Sequence, residues 1–171
     1  MLVVLGAVVP AIAENESRVG SQEVVNELNR MKKQTVVSLA INNPAPASFG
    51  VNLSYALNPM IKLEAGTGDA TTIFGPKLSA MGAGAIFTYP EWNWTPTAGL
   101  HASVVSFSDN GFSSSSINGV GKSGTLVYGS LGMEYQSNSG FNIGLGMNMP
   151  FGGMNSTTYI STGWGFDGLK L

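Results

Sequence analysis

Apolar and polar residues alternate one by one along much of the chain. In the stretch 49–57 (FGVNLSYAL) the large apolar side chains occupy every second position, and the same alternation recurs in 141–149 (FNIGLGMNM). A period of two is typical of a β-strand with one apolar and one polar face. Following this period predicts eight strands, at residues 35–42, 47–57, 60–68, 78–89, 96–107, 124–136, 141–150 and 157–167.

The polar face of these strands indicates which class of β-protein they form. It consists mostly of Gly, Asn, Ser and Ala, and residues 35–171 contain only four lysines and six carboxylates. That is about 7% charged, against roughly 25% in an ordinary soluble domain. Small polar side chains suit the interior of a narrow barrel, and large apolar ones suit a lipid-facing exterior. Because strands in lipid must leave no open edge, we predict an all-β fold: a closed up-and-down antiparallel transmembrane β-barrel of about eight strands. A soluble β-sandwich is the alternative.

The connections and the aromatic residues fit this prediction. Tight turns are expected at 57–59, 89–95 and 137–140, all at one end, and longer loops at 42–46, 69–77, 108–123 and 151–156, all at the other. Outer-membrane barrels have short periplasmic turns and longer external loops. Aromatic residues near strand ends are expected to lie at the membrane interfaces; they are Tyr55, Tyr89, Trp92, Trp94, Tyr135, Tyr159, Trp164 and Phe166.

The first 34 residues have a different character. Residues 2–13 form an apolar run that ends in Ala11-Ile12-Ala13, which predicts a signal peptide over residues 1–13, although no Lys or Arg precedes the run. A buried N-terminal strand or helix is the alternative. Residues 14–34 contain eight charges and are predicted to stay in the periplasm, with a short amphipathic helix over 22–33. The barrel then occupies residues 35–171.

Three segments resemble the small eight-stranded barrels of bacterial outer membranes, the OmpA transmembrane-domain-like family. They are 51–66 (VNLSYALNPMIKLEAG), 131–151 (LGMEYQSNSGFNIGLGMNMPF) and 158–166 (TYISTGWGF). The resemblance implies export through the periplasm into the bacterial outer membrane. It also implies contact with outer-membrane lipids and lipopolysaccharide, and insertion by the barrel assembly machinery. Many proteins of this class end in an aromatic residue, whereas here Phe166 is followed by DGLKL.

The alternation assigns four ionisable side chains to the barrel interior, as a polar network: Lys62, Glu64, His101 and Glu134. Each charge in a closed interior needs a partner; the resemblance also suggests gating of a narrow water path. His101 and Ser103 are similar to part of the acyl-transfer site of outer-membrane lipid A deacylases. That family has a Glu shortly after the Ser, and residues 104–119 contain none. A histidine with an internal hydrogen-bond partner is the alternative, and we expect no catalytic residue.

The remaining composition narrows the functional classes. The chain has no cysteine and one histidine, which argues against a thiolate or transition-metal site, and no cofactor is expected. A net charge of −2 argues against nucleic acid as a partner. We therefore expect a monomeric outer-membrane protein, not an enzyme, that acts as a structural anchor or contacts external ligands through its loops. The alternatives are a narrow channel or carrier for a small solute, and a lipid A acyl hydrolase.

Overall fold

The structure is a computed structural model that describes residues 30–71, 77–89, 94–108, 123–151 and 155–167. The predicted signal peptide and most of the segment 14–34 lie outside these residues, as does Trp92. Residues 30–32 are helical, at the end of the predicted helix 22–33, and the chain enters the first strand at Thr35.

The described residues form a closed antiparallel barrel of eight strands, which confirms the predicted all-β, up-and-down barrel architecture. The strands are β1 (Thr35–Ile41), β2 (Phe49–Asn58), β3 (Ile61–Thr71), β4 (Lys77–Thr88), β5 (Thr95–Ser108), β6 (Gly124–Gln136), β7 (Phe141–Pro150) and β8 (Thr157–Phe166). Each strand pairs with the next, and β1 pairs with β8 to close the ring. The connections β2–β3, β4–β5 and β6–β7 lie at the end where β1 begins, called here the turn end, and the opposite end is the loop end.

The register places the large apolar residues outside and the small polar residues inside. On β2, Phe49 is 70% exposed and Leu53 is 51% exposed, whereas Asn52 between them is 1% exposed. This follows from the alternation of side chains across the pleat. The barrel therefore has the polarity opposite to that of a soluble β-sandwich, whose apolar side chains meet in the core.

Glycines on the inner face make room for the few bulky side chains there. Tyr159 of β8 lies against Gly132 and Gly146, and a Cβ atom on Gly146 would be 2.7 Å from its ring. His101 is similarly accommodated by Gly84 and Gly99 on β4 and β5. The interior of an eight-stranded barrel is only just wide enough for its side chains, so the rings of Tyr159 and His101 depend on the glycines beside them.

The connection between β1 and β2 differs from the prediction. Residues 42–46 were expected to form an external loop, but Asn42–Ser48, called here the inward loop, folds into the barrel. Asn43 through Ala47 are buried, and Ala47 has no exposed surface. Its alanines pack on an apolar cluster that includes Leu78, Val105, Leu126 and Tyr128. The prediction was wrong because this segment is small and apolar enough to fill the barrel end, where burial removes its alanines and prolines from water.

Candidate functional site: the polar interior of the barrel

A buried carboxylate at the turn end of the interior pairs with two cations. Glu134 of β6 forms ion pairs with Lys62 of β3 and with Arg30, whose Nη1 lies 3.4 Å from Glu134 Oε1. All three residues are less than 10% exposed. Arg30 precedes β1, so the segment before the barrel contributes a charge to its interior. The charge of Glu134 is thus compensated from two separate parts of the chain.

Glu64 lies one inner position further along β3, and its contacts connect it to the loop end. Its Oε1 accepts a 3.0 Å hydrogen bond from Asn43 Nδ2 of the inward loop. Lys62 is close enough to Glu64 for an electrostatic attraction, although its ion pair is with Glu134. The interior therefore holds two cations and two carboxylates in one connected group among the described residues.

His101 forms a separate polar contact. Its Nε2 lies 2.9 Å from Ser130 Oγ of β6, and its ring stacks on Tyr128, with centroids 4.9 Å apart and planes at 7°. Ser103 lies on the same inner face and is fully buried. The histidine thus has Ser130, not Ser103, as its hydrogen-bonded serine, and both serines are inside the barrel.

Little space remains between these side chains. They surround a cavity that offers about 20 Å³ to the centres of water molecules, and its lining includes Lys62, Glu64, His101, Glu134 and Tyr159. A volume of this size holds about one water molecule. As formed by the described residues, this cavity is too small for an organic ligand.

Most of the aromatic residues assigned to the membrane interfaces are on the outer face. Tyr55, Tyr89, Trp94, Trp164 and Phe166 are exposed near the turn end, and Tyr135 is partly covered by Trp94, with ring centroids 5.9 Å apart.

Tyr159 is the exception, and its assignment was wrong. It shares the inner face of β8 with Ser161 and Gly163 and contributes to the cavity lining. The glycines at positions 132 and 146 provide the space that its ring occupies. Outward and inward positions alternate strictly on this strand, so its neighbour Ile160 faces outward instead.

Sequence reasoning missed three contributors to the polar interior. These are Arg30, Asn43 and the Tyr128 hydroxyl, which hydrogen bonds to the inward loop. Arg30 was assigned to a periplasmic helix, and Asn43 to an external loop. One available indication was the excess of acidic over basic residues among the predicted inner charges, since Glu64 and Glu134 faced Lys62 alone. A further partner was therefore expected, and Arg30, Lys32 and Lys33 are the cations that most closely precede β1.

No protein-family model, no curated protein and no solved structure matches this chain. The part of the chain that the structure describes contains no helix with the length and hydropathy of a membrane span. Within the same residues, no three His, Cys, Asp or Glu side chains come together as they would around a metal ion.

Proposed function

We propose that this protein is an integral β-barrel of a bacterial outer membrane, where it serves as a structural anchor and contacts the exterior through its loop end. The observation that carries the proposal is the continuous apolar outer face. Large side chains such as Phe49, Met81 and Leu39 are each more than 60% exposed. Monomeric soluble proteins rarely expose apolar patches larger than a few hundred Å², and a lipid environment removes this cost.

The height of the apolar face agrees with the thickness of an outer membrane. On β2, outward apolar residues run from Phe49 to Leu57. Eight residue steps of ~3.3 Å give about 26 Å along the strand, or about 20 Å along the barrel axis at a tilt of ~40°. The apolar band of outer-membrane barrels is roughly 25 Å tall. The outward charge Asp69 pairs with Phe49 at the loop-end edge of this band, and Lys77 lies two positions further towards the loop end.

The filled interior favours an anchor over a channel or carrier. A conducting barrel needs a continuous water path, whereas the cavity that the described residues form between the ion pairs at the turn end and the inward loop at the loop end holds about one water molecule. A lipid A acyl hydrolase is disfavoured by the direction of its candidate residues. His101 and Ser103 point inward, away from the outer face on which a lipid would lie.

Membrane fractionation tests the proposal directly. We expect the expressed full chain to sediment with outer membranes, to resist urea extraction, and to migrate differently on a gel before and after heating. A lipid-facing substitution gives a graded test: Leu53→Arg, at mid-height on the outer face, should cost about 2–4 kcal/mol of stability in vesicles. Asp69→Arg, near the loop end, is the matched control and should cost far less. A chain that purifies without detergent as a folded monomer would contradict the proposal.

A further inference from the structure

The inward loop occupies a recess that the barrel wall is shaped to hold. Three inner-face glycines on different strands lie directly against it. A Cβ atom would be 2.8 Å from Pro44 if placed on Gly50, 2.8 Å from Ala47 if placed on Gly68, and 3.2 Å from Pro44 if placed on Gly82. The first two distances are shorter than real Cβ contacts and the third is tighter than most, so a larger residue would crowd the loop, most directly at Gly50, where the loop is the nearest neighbour. The wall and the loop therefore fit each other in shape.

The loop is also fastened by polar contacts from the opposite side of the barrel. Tyr128 Oη accepts a hydrogen bond from Ala45 N at 3.3 Å and donates one to Asn43 Oδ1 at 3.4 Å. Asn148 Nδ2 donates to the carbonyl oxygen of Asn42 at 2.7 Å. Tyr128 is itself held by its stack on His101. One hydroxyl group thus holds both the backbone and a side chain of the loop.

Polar groups lie directly beneath the loop, and burial of one of them by the loop is energetically unfavourable. Asn52 Oδ1 is buried without a hydrogen-bond partner among the described residues. A buried acceptor without a donor opposes the closed arrangement, and water could reach this atom if the loop moved out. The closed position therefore depends on the contacts that hold the loop, and Tyr128 supplies two of them.

We propose that Asn42–Ser48 is a stopper that seals the polar interior against loop-side water, and that the Tyr128 hydroxyl is the latch that holds it. Removing the latch lets the loop leave its recess and opens the interior down to the level of Ser103. Ser103 is a suitable depth marker, because a Cβ atom on Gly82 would touch both Ser103 Oγ, at 2.7 Å, and Pro44 of the loop. The turn end stays closed by the ion pairs of Glu134.

The chain has no native cysteine, so each introduced cysteine is the only thiol that a reagent can label. Ser103→Cys is introduced as the internal reporter and Ser156→Cys, at an exposed position of the loop end, as the accessible reference. The folded full chain is labelled in detergent micelles with a small charged methanethiosulfonate, so the result does not depend on the outer-membrane proposal. With the native loop, we expect Ser103→Cys to react far more slowly than Ser156→Cys. Equal labelling rates at the two positions would contradict the proposal that the loop seals the interior.

Two variants then test the latch and the loop separately in the Ser103→Cys background. Tyr128→Phe removes only the hydroxyl, and Ala47→Glu places a charge at a fully buried loop position. Each should raise the labelling rate about tenfold or more, since ~1.4 kcal/mol shifts an equilibrium by that factor and one buried hydrogen bond contributes about this much. Tyr159→Phe, an inner tyrosine outside the recess, is the matched control and should leave the rate unchanged.

Gel mobility of unheated samples identifies the folded fraction, and only that fraction is compared. Unchanged slow labelling in folded Tyr128→Phe and Ala47→Glu would refute the proposal. If Ala47→Glu alone accelerates labelling, the loop is a stopper without the proposed latch, and the assignment of Tyr128 is wrong. If Tyr159→Phe accelerates labelling as much as Tyr128→Phe, general loosening of the interior explains the data and the proposal fails.

Discussion

The ion pairs at the turn end predict that two substitutions destabilise the barrel to different extents. Glu134 is the shared partner of Arg30 and Lys62. Glu134→Gln removes the ion-pair partner of both buried cations and leaves Lys62 with only its attraction to Glu64, whereas Lys62→Met leaves Glu134 paired with Arg30. Breaking a buried pair so that a charge is left alone costs about 3–5 kcal/mol. We expect this cost for Glu134→Gln. Lys62→Met keeps the aliphatic stem and one ion pair, so its cost should be only about 1–3 kcal/mol.

Urea unfolding of the barrel in lipid vesicles measures this difference, with the folded fraction read from gel mobility. With a slope of ~2 kcal/mol per molar urea, a difference of ~2 kcal/mol between the variants separates their midpoints by about 1 M. The double variant Lys62→Met/Glu134→Gln should be less destabilised than the sum of the two, because only Arg30 then lacks its partner. A larger loss for Lys62→Met than for Glu134→Gln would show that Glu134 is not the centre of the cluster.

Two further predictions concern a glycine recess and an exposed ion pair. Gly146→Ala should destabilise the barrel by about 1–3 kcal/mol through overpacking, since its Cβ would lie 2.7 Å from the Tyr159 ring; Gly124→Ala, with open space around it, should be close to neutral in the same urea assay. The Lys33 ammonium, 2.9 Å from Asp167, lowers the pKa of that exposed carboxyl. Its small stabilising contribution should be lost as pH falls through this lowered pKa, and Lys33→Met should return the pKa of Asp167 towards its ordinary value in an NMR titration.

The strands could be predicted from the sequence because their two faces differ at every step. In β2, the outward Val51, Leu53 and Tyr55 alternate with the inward Asn52 and Ser54. A register error of one residue would turn the polar set outward and the apolar set inward, so the pattern fixes both the strand and its faces. Its predicted ends lie within three residues of the observed ends in all eight strands.

The contents of the barrel could not be predicted in the same way. Tyr128 stacks on His101 and contacts Asn43. Asn43 is 85 positions away from Tyr128 in the sequence. A period of two states only that a side chain faces inward and does not identify its partner. The segment Asn42–Ser48 has no period, and its prolines and alanines are equally compatible with a surface turn. Whether such a segment leaves or enters the barrel depends on the space inside, which the glycines of three other strands determine.

The two closures of the barrel together explain why four charged side chains are tolerated in its interior. At the turn end, Arg30 comes from outside the barrel sequence and supplies the second cation that Glu134 shares with Lys62. At the loop end, Asn43 supplies the hydrogen bond to Glu64. Each closing segment thus satisfies a charged group as well as excluding water, and loss of either would leave a carboxylate short of a partner in a confined space. This coupling of sealing to charge compensation favours a rigid, filled barrel, and it supports our proposal that any external contacts are made at the loop end and not in the lumen.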